Sequence, residues 1–155
     1  MVREVAITDG NDDGHETATG TLDRAATTVN LTALNHRAGL RFLNVGLARG
    51  SSILDARLVV HVPGALDRPR DTWRSELTPS PAVMMGSLTL TNRDANLSGT
   101  TVRWDQGRTG LGWAQSPSLR TIIEPLVLLP GWSESSGVML VALHTATEQF
   151  QFSSF

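Results

Sequence analysis

The 155-residue chain has no cysteine, no lysine and no tyrosine. Without cysteine there is no disulfide, no thiolate metal site and no cysteine nucleophile. Without lysine there is no Schiff-base amine and no phosphate-loop ammonium, and without tyrosine no phenolic acid or base. All 13 basic residues are therefore arginine. Charged residues make up only 18% of the chain, and the formal net charge is -2. That balance lacks the positive footprint by which nucleic-acid binders neutralise phosphates. No apolar run approaches the ~20 residues of a membrane-spanning helix. The start, Met1 to Asp9, has no apolar core of a secretory signal. The expectation is a soluble protein made in a cytoplasm, without membrane or nucleic-acid partners.

Hydrophobic residues reach 40%, enough for a packed core, and the length suits one domain over residues 1–155. A chain of this size buries about two-thirds of its unfolded surface and needs no staple. Period-two alternation predicts strands at Glu4–Thr8, Thr27–Leu34, Ala38–Val45, Ile53–Val62, Ser87–Thr91, Thr100–Trp104, Val138–His144 and Gln149–Phe155. Leu119, Ile122, Ile123, Leu126 and Val127 instead follow a helical stripe, predicting one short helix over about 117–129. Ser116 is its candidate cap and Pro117 its first residue. Pro125 inside the stripe must kink or end the helix near Glu124. Residues 63–81, with four prolines and five charged residues between Asp67 and Arg74, read as a long surface excursion.

Two stretches carry a resemblance. Ala38-Gly39-Leu40-Arg41-Phe42 followed by Leu47-Ala48-Arg49-Gly50-Ser51-Ser52-Ile53-Leu54-Asp55-Ala56-Arg57-Leu58 is one. Pro117-Ser118-Leu119-Arg120 leading to Pro130-Gly131-Trp132 and then Val138–His144 is the other. In this order they resemble the DNRLRE-type jelly-roll modules, which pair an "RF" strand with a "P-x-G-a-x-I-x-x-A-x-L" turn and a short helix with a "PGW" turn. Ala48 and Arg49 stand where that pattern has its proline region. The resemblance implies a jelly-roll-like antiparallel β-sandwich, as in bacterial carbohydrate-binding modules and in tail and surface proteins of tailed bacteriophages. With no signal segment in view, the phage branch is favoured: a virion component assembled in the host cytoplasm. The family pattern continues beyond "SSF" with one more strand, so the Gln149–Phe155 edge is expected either to lack a neighbour or to receive one from another chain.

Candidate sites follow from residue types. Asp9, Asn11 and Asp13 occupy positions 1, 3 and 5 of an EF-hand-like loop with Gly14 at position 6, and Glu16 is the remaining oxygen donor. Gly20 stands where the bidentate glutamate belongs, and a solvated turn rich in Asp and Asn accounts for the same residues. Ca²⁺ is thus a candidate ligand, and no cofactor is required. Trp73 and Trp113 are the tryptophans placed to stack on a glycan, whereas Trp104 and Trp132 suit the core. Arg68, Arg70 and Arg74, interleaved with acids, suit a protein interface, with Phe150, Phe152 and Phe155 as apolar anchors. The four histidines His15, His36, His61 and His144 show no ligand spacing, no G-x-S-x-G elbow is present, and nothing pairs any two glutamates for glycoside hydrolysis. The function expected is therefore non-enzymatic. It is a tailed-phage virion part, in capsid decoration or in the tail or fibre, that forms homo-oligomers and docks on other virion proteins. The alternative is a carbohydrate-binding module for a cell-surface glycan.

Overall fold

A computed structural model describes residues 2–64, 67–85 and 88–154. Ten strands form in chain order: β1 (Asp13–Glu16), β2 (Leu22–Asp23), β3 (Thr28–Leu31), β4 (Arg37–Phe42), β5 (Val59–Val62), β6 (Arg70–Ser75), β7 (Val102–Asp105), β8 (Gly112–Gln115), β9 (Val138–His144) and β10 (Phe150–Ser153). A six-stranded antiparallel sheet has the order β2-β1-β4-β9-β6-β7. The second layer is made of the antiparallel pairs β3–β10 and β5–β8, each joining strands distant in sequence, with β10 running beside β5. The chain passes repeatedly from one layer to the other, as in a jelly roll, and the protein is an all-β antiparallel sandwich with one short α-helix. No helix among the described residues is long and apolar enough to cross a membrane.

Alternation explains the core. Val29 and Leu31 of β3, Phe150 and Phe152 of β10, and Val60 and Val62 of β5 point inward from the second layer. They meet Ala38 and Leu40 of β4, Trp73 of β6, Trp104 of β7 and Val138, Leu140 and Ala142 of β9. Trp104 lies 5.3 Å, edge-on, from Phe150, a geometry that adds to area burial. Strand β9 reads as a continuous apolar run because its other face is covered too. Met139 and Val141 pack with Met84, Leu90 and Leu97 from the connection that crosses the outside of the six-stranded sheet. Gly39 makes room for that cover: a Cβ there would run into Met84 Sδ and Leu90 Cδ2.

Several expectations are corrected. Residues 63–81 are not a surface excursion, since β6 runs through their middle between β9 and β7. Its prolines flank the strand, and its inward residues are Asp71, Trp73 and Ser75, so two polar side chains out of three conceal the hydrophobic alternation. Glu4–Thr8 is extended and sends Ile7 and Val5 toward the core, but it pairs with no strand. Leu88 joins only an isolated bridge to Met85, and Thr91–Asn96 is 3-10 helix; Ser87 lies outside the described residues. The helix is a single α turn, Arg120–Ile123, then 3-10 at Leu126–Leu128, with the break at Pro125 as its missing N–H requires. Leu119, not Ser116, is the N-cap; the Ser116 hydroxyl accepts from Leu58 N at 3.0 Å and donates to the Pro117 carbonyl. The C-terminal strand β10 is bonded to β3 on one side and runs beside β5 on the other, with no ladder between β10 and β5 among the described residues. Phe150 and Phe152 are core residues, 0% and 1% exposed, and Phe155 lies outside the described residues.

Candidate functional site at the β5–β8 edge

The acidic loop is used structurally. Asp9 Oδ1 accepts from Asn11 N and Nδ2 at 2.8 and 2.9 Å, and these bonds hold its carboxyl below the usual range. Asn11 Oδ1 accepts from Arg24, and Asp13, on β1, accepts from the Ser154 hydroxyl. Glu16 is fully buried and points elsewhere. It accepts from Leu90 N at 2.6 Å and from the Thr91 amide and hydroxyl, pinning the start of the 3-10 segment. The four oxygen donors therefore serve different partners, and among the described residues no group of three or more His, Asp or Glu is placed to hold a metal ion.

The arginines expected at an interface lie on or next to β6. Arg68 faces Glu148 at 3.6 Å, Arg70 pairs with Asp105 at 2.8 Å, and Arg74 is half-buried on the outer side of the six-stranded sheet. Trp73 is 0% exposed, 6.5 Å from the Trp104 ring, so it cannot meet a glycan. Trp132 is buried as expected and donates from Nε1 to the Leu47 carbonyl at 2.8 Å.

Among the described residues one histidine–carboxylate ion pair forms, and it is sealed. His144 and Asp71 are both 0% exposed, with Nδ1 and Oδ1 2.7 Å apart, and His144 Nε2 lies 2.6 Å from the Glu148 carbonyl. Burial alone would lower the His144 pKa, but the bond and charge of Asp71 and the Glu148 carbonyl outweigh it and the net shift is upward. Both ring nitrogens are committed within the protein, which leaves none for a substrate. The dyad ties β6, β9 and the turn before β10 together.

What remains on display is the outer face of the second layer. Thr28 and Asn30 stand opposite Ser153 and Gln151, and Val59 and His61 opposite Gln115 and Trp113. None of these eight side chains carries a carboxylate or guanidinium. Trp113 is 76% exposed, with the His61 ring edge-on at 5.3 Å, and His61 Nδ1 lies 3.2 Å from the Ser153 hydroxyl. No carboxylate among the described residues orients that histidine, so the pair lacks the third member of a nucleophilic set. Leu111 and Val59, 71% and 52% exposed, extend an apolar surface around Trp113. Beside it an open cleft of about 370 Å³ is lined by Gln106, Arg108, Thr109, Trp113 and Gln115. Gly112, at φ 120°, makes the turn into β8 that residues with a Cβ rarely adopt.

Such a surface can stack, exclude water and exchange hydrogen bonds through amide, hydroxyl and imidazole groups. Trp113 was legible from Gly110-Leu111-Gly112-Trp113. Its neighbours His61 and Val59 come from a strand about fifty residues earlier, and only the pairing of β5 with β8 brings them together. No protein-family model, no curated protein and no solved structure matches this chain.

Proposed function

We propose that this protein is a non-enzymatic structural module of a tailed-bacteriophage virion, in capsid decoration or in the tail or fibre, and that it works by protein–protein assembly. The observation that carries this reading is the exposed apolar group Val59, Leu111 and Trp113, gathered at the paired strands β5 and β8. Exposed apolar residues gathered at one place mark association surfaces, and covering an aromatic such as tryptophan is a common anchor of interfaces. The resemblance of the 38–58 and 117–144 segments to DNRLRE-type modules supplies the phage setting. Three of the four tryptophans are inside, which leaves no paired aromatic platform for a sugar chain. Light scattering tests the reading: the chain is expected to show a mass above its monomer, and a strict monomer at every concentration overturns it.

The second reading, recognition of a cell-surface glycan, has its own observation. The outer face around Trp113 offers amide, hydroxyl and imidazole groups and no carboxylate or guanidinium among its paired residues, the kind of partners that sugar hydroxyls use. Titration of glycans checked by Trp113→Ala tests it: binding lost in the variant supports the reading, and absence of binding in the parent protein removes it.

A further inference from the structure

Among the described residues the outer four-residue strands are β7 in the first layer and β3 and β8 in the second, and of these β8 carries the exposed Trp113. Strands β7 and β8 lie at opposite ends of a six-residue connection, and edge strands are templates for pairing unless they are guarded. Edge β7 is guarded by charge: Arg103 and Asp105 pair at 2.9 Å, and Asp105 also holds Arg70. Edge β8 has no such guard. From Thr109 to Ser118 there is no charged residue, and within β8 there is no proline.

The register shows which backbone groups of β8 are free. Ala114 is opposite Val60 and Gly112 opposite Val62, and one step further Ser116 N donates to the Leu58 carbonyl at 2.9 Å. Even-numbered residues therefore bond to β5, and Trp113 and Gln115 direct their N–H and C=O groups away from it. Among the described residues the Gln115 carbonyl receives one contact, at 3.4 Å from the exposed Gln106 amide, while the outward N–H groups of Trp113 and Gln115 have no partner.

We infer that β8 is the self-association edge, and that it pairs antiparallel with β8 of a second copy about a twofold axis near Trp113. This inference rests on the assembly reading above and names its surface and its partner. A second copy is the occupant that the charge pattern fits. An isologous contact sets each residue against its own sequence, and here a dyad at Trp113 sets Leu111 against Gln115 and Arg108 against Ser118, with no like charges opposed. Pairing at β8 would join the two β5–β8 pairs into one four-stranded sheet, set the two Trp113 rings side by side and put the free N–H groups to use.

Sedimentation equilibrium and light scattering of the 155-residue chain, from about 1 μM to 1 mM, test this. The mass is expected to rise from 16.7 kDa toward twice that value. Trp113→Lys puts a guarding charge on the edge, and Gln115→Pro deletes an outward N–H while leaving the indole in place. Both are expected to hold the chain at monomer mass with unchanged far-UV circular dichroism, and Arg103→Ala on β7 is expected to leave the dimer intact. A dimer indifferent to Trp113→Lys and Gln115→Pro overturns the edge assignment while assembly stands. A parent chain that stays monomeric throughout overturns both. If Gln115→Pro does not fold, Trp113→Lys, at an exposed side chain, decides alone.

Discussion

The two layers of the sandwich use the same alternating strands, yet only the six-stranded sheet has both faces covered. Its outer face lies under the connection that carries Met84, Leu90 and Leu97, and that cover brings polar groups into the interior. Each is held by a partner distant in sequence: Glu16 by Leu90 and Thr91, and Arg93 by Glu76 at 2.5 Å. On the sheet's core side Asp71 is held by His144. The second layer buries its inner side chains equally well and leaves its outer ones, Thr28, His61, Trp113 and Gln151 among them, without a cover. The residues whose chemistry attracts attention in the sequence, carboxylates and histidines, are thus largely spent on closing the first layer. Neutral side chains form the surface that is left for partners. Buried charge is costly unless paired, so the covered layer must recruit such partners, whereas solvent supplies them on the open one.

The sharpest way to break this contrast is at β6. Trp73→Ala should cost about 3–5 kcal/mol in chemical denaturation, because it empties a site closed on all sides. Trp113→Ala, the same change on the open face, should stay within about ±0.5 kcal/mol. Equal effects of the two would mean that the layers do not differ as described. The cover itself is probed next. Gly39→Ala should cost about 1–3 kcal/mol by overpacking against Met84 and Leu90. Glu16→Gln should cost a similar amount, about 1–3 kcal/mol, as the Thr91 and Leu90 donors lose a charged acceptor. Arg70→Ala, at the guarded edge, should lower stability by no more than about 1 kcal/mol, because its ion pair with Asp105 is partly exposed.

Titration sharpens the comparison further. His144 has its pKa raised above the ordinary 6.5, so its contribution is fully present below 6.5 and is lost as pH rises through its folded value. His15, on β1, is shifted the other way, chiefly by burial and against the pull of Asp23. Its contribution is present above 6.5 and is lost as pH falls through its folded value. Denaturation midpoints across this range should fall off on both sides of about pH 6.5. His144→Gln should flatten the alkaline limb and His15→Gln the acid limb.

Much of the framework is legible in the sequence where burial is one-sided and apolar. Strand β9 matches its predicted span because six apolar residues in a row leave no other assignment, and β3, β4, β5, β7 and β10 each fall within or nearly within an alternating segment. The break in the helix is dictated by Pro125 alone. By contrast β1, with the sequence Asp-Gly-His-Glu, and β6, with Arg-Asp-Thr-Trp-Arg-Ser, show no apolar alternation, since their buried faces are partly polar. Such strands are stabilised by partners that sequence spacing does not reveal. The partner of Glu16 is 74 residues away, and that of Asp71 is 73 residues away.

The sequence by itself determined which side chains are absent, the all-β class and the position at which the helix after Ser116 must break. These follow from residue types and local periodicity, which are properties of neighbours in the chain. Only the tertiary structure decided that Trp73 is core and Trp113 is surface, that Glu16 closes a cover instead of joining a cation loop, and that β10 pairs with β3 while β8 pairs with β5. Those outcomes depend on which strands pair. Pairing is settled by the burial and polar satisfaction of the whole sandwich, which no local pattern contains.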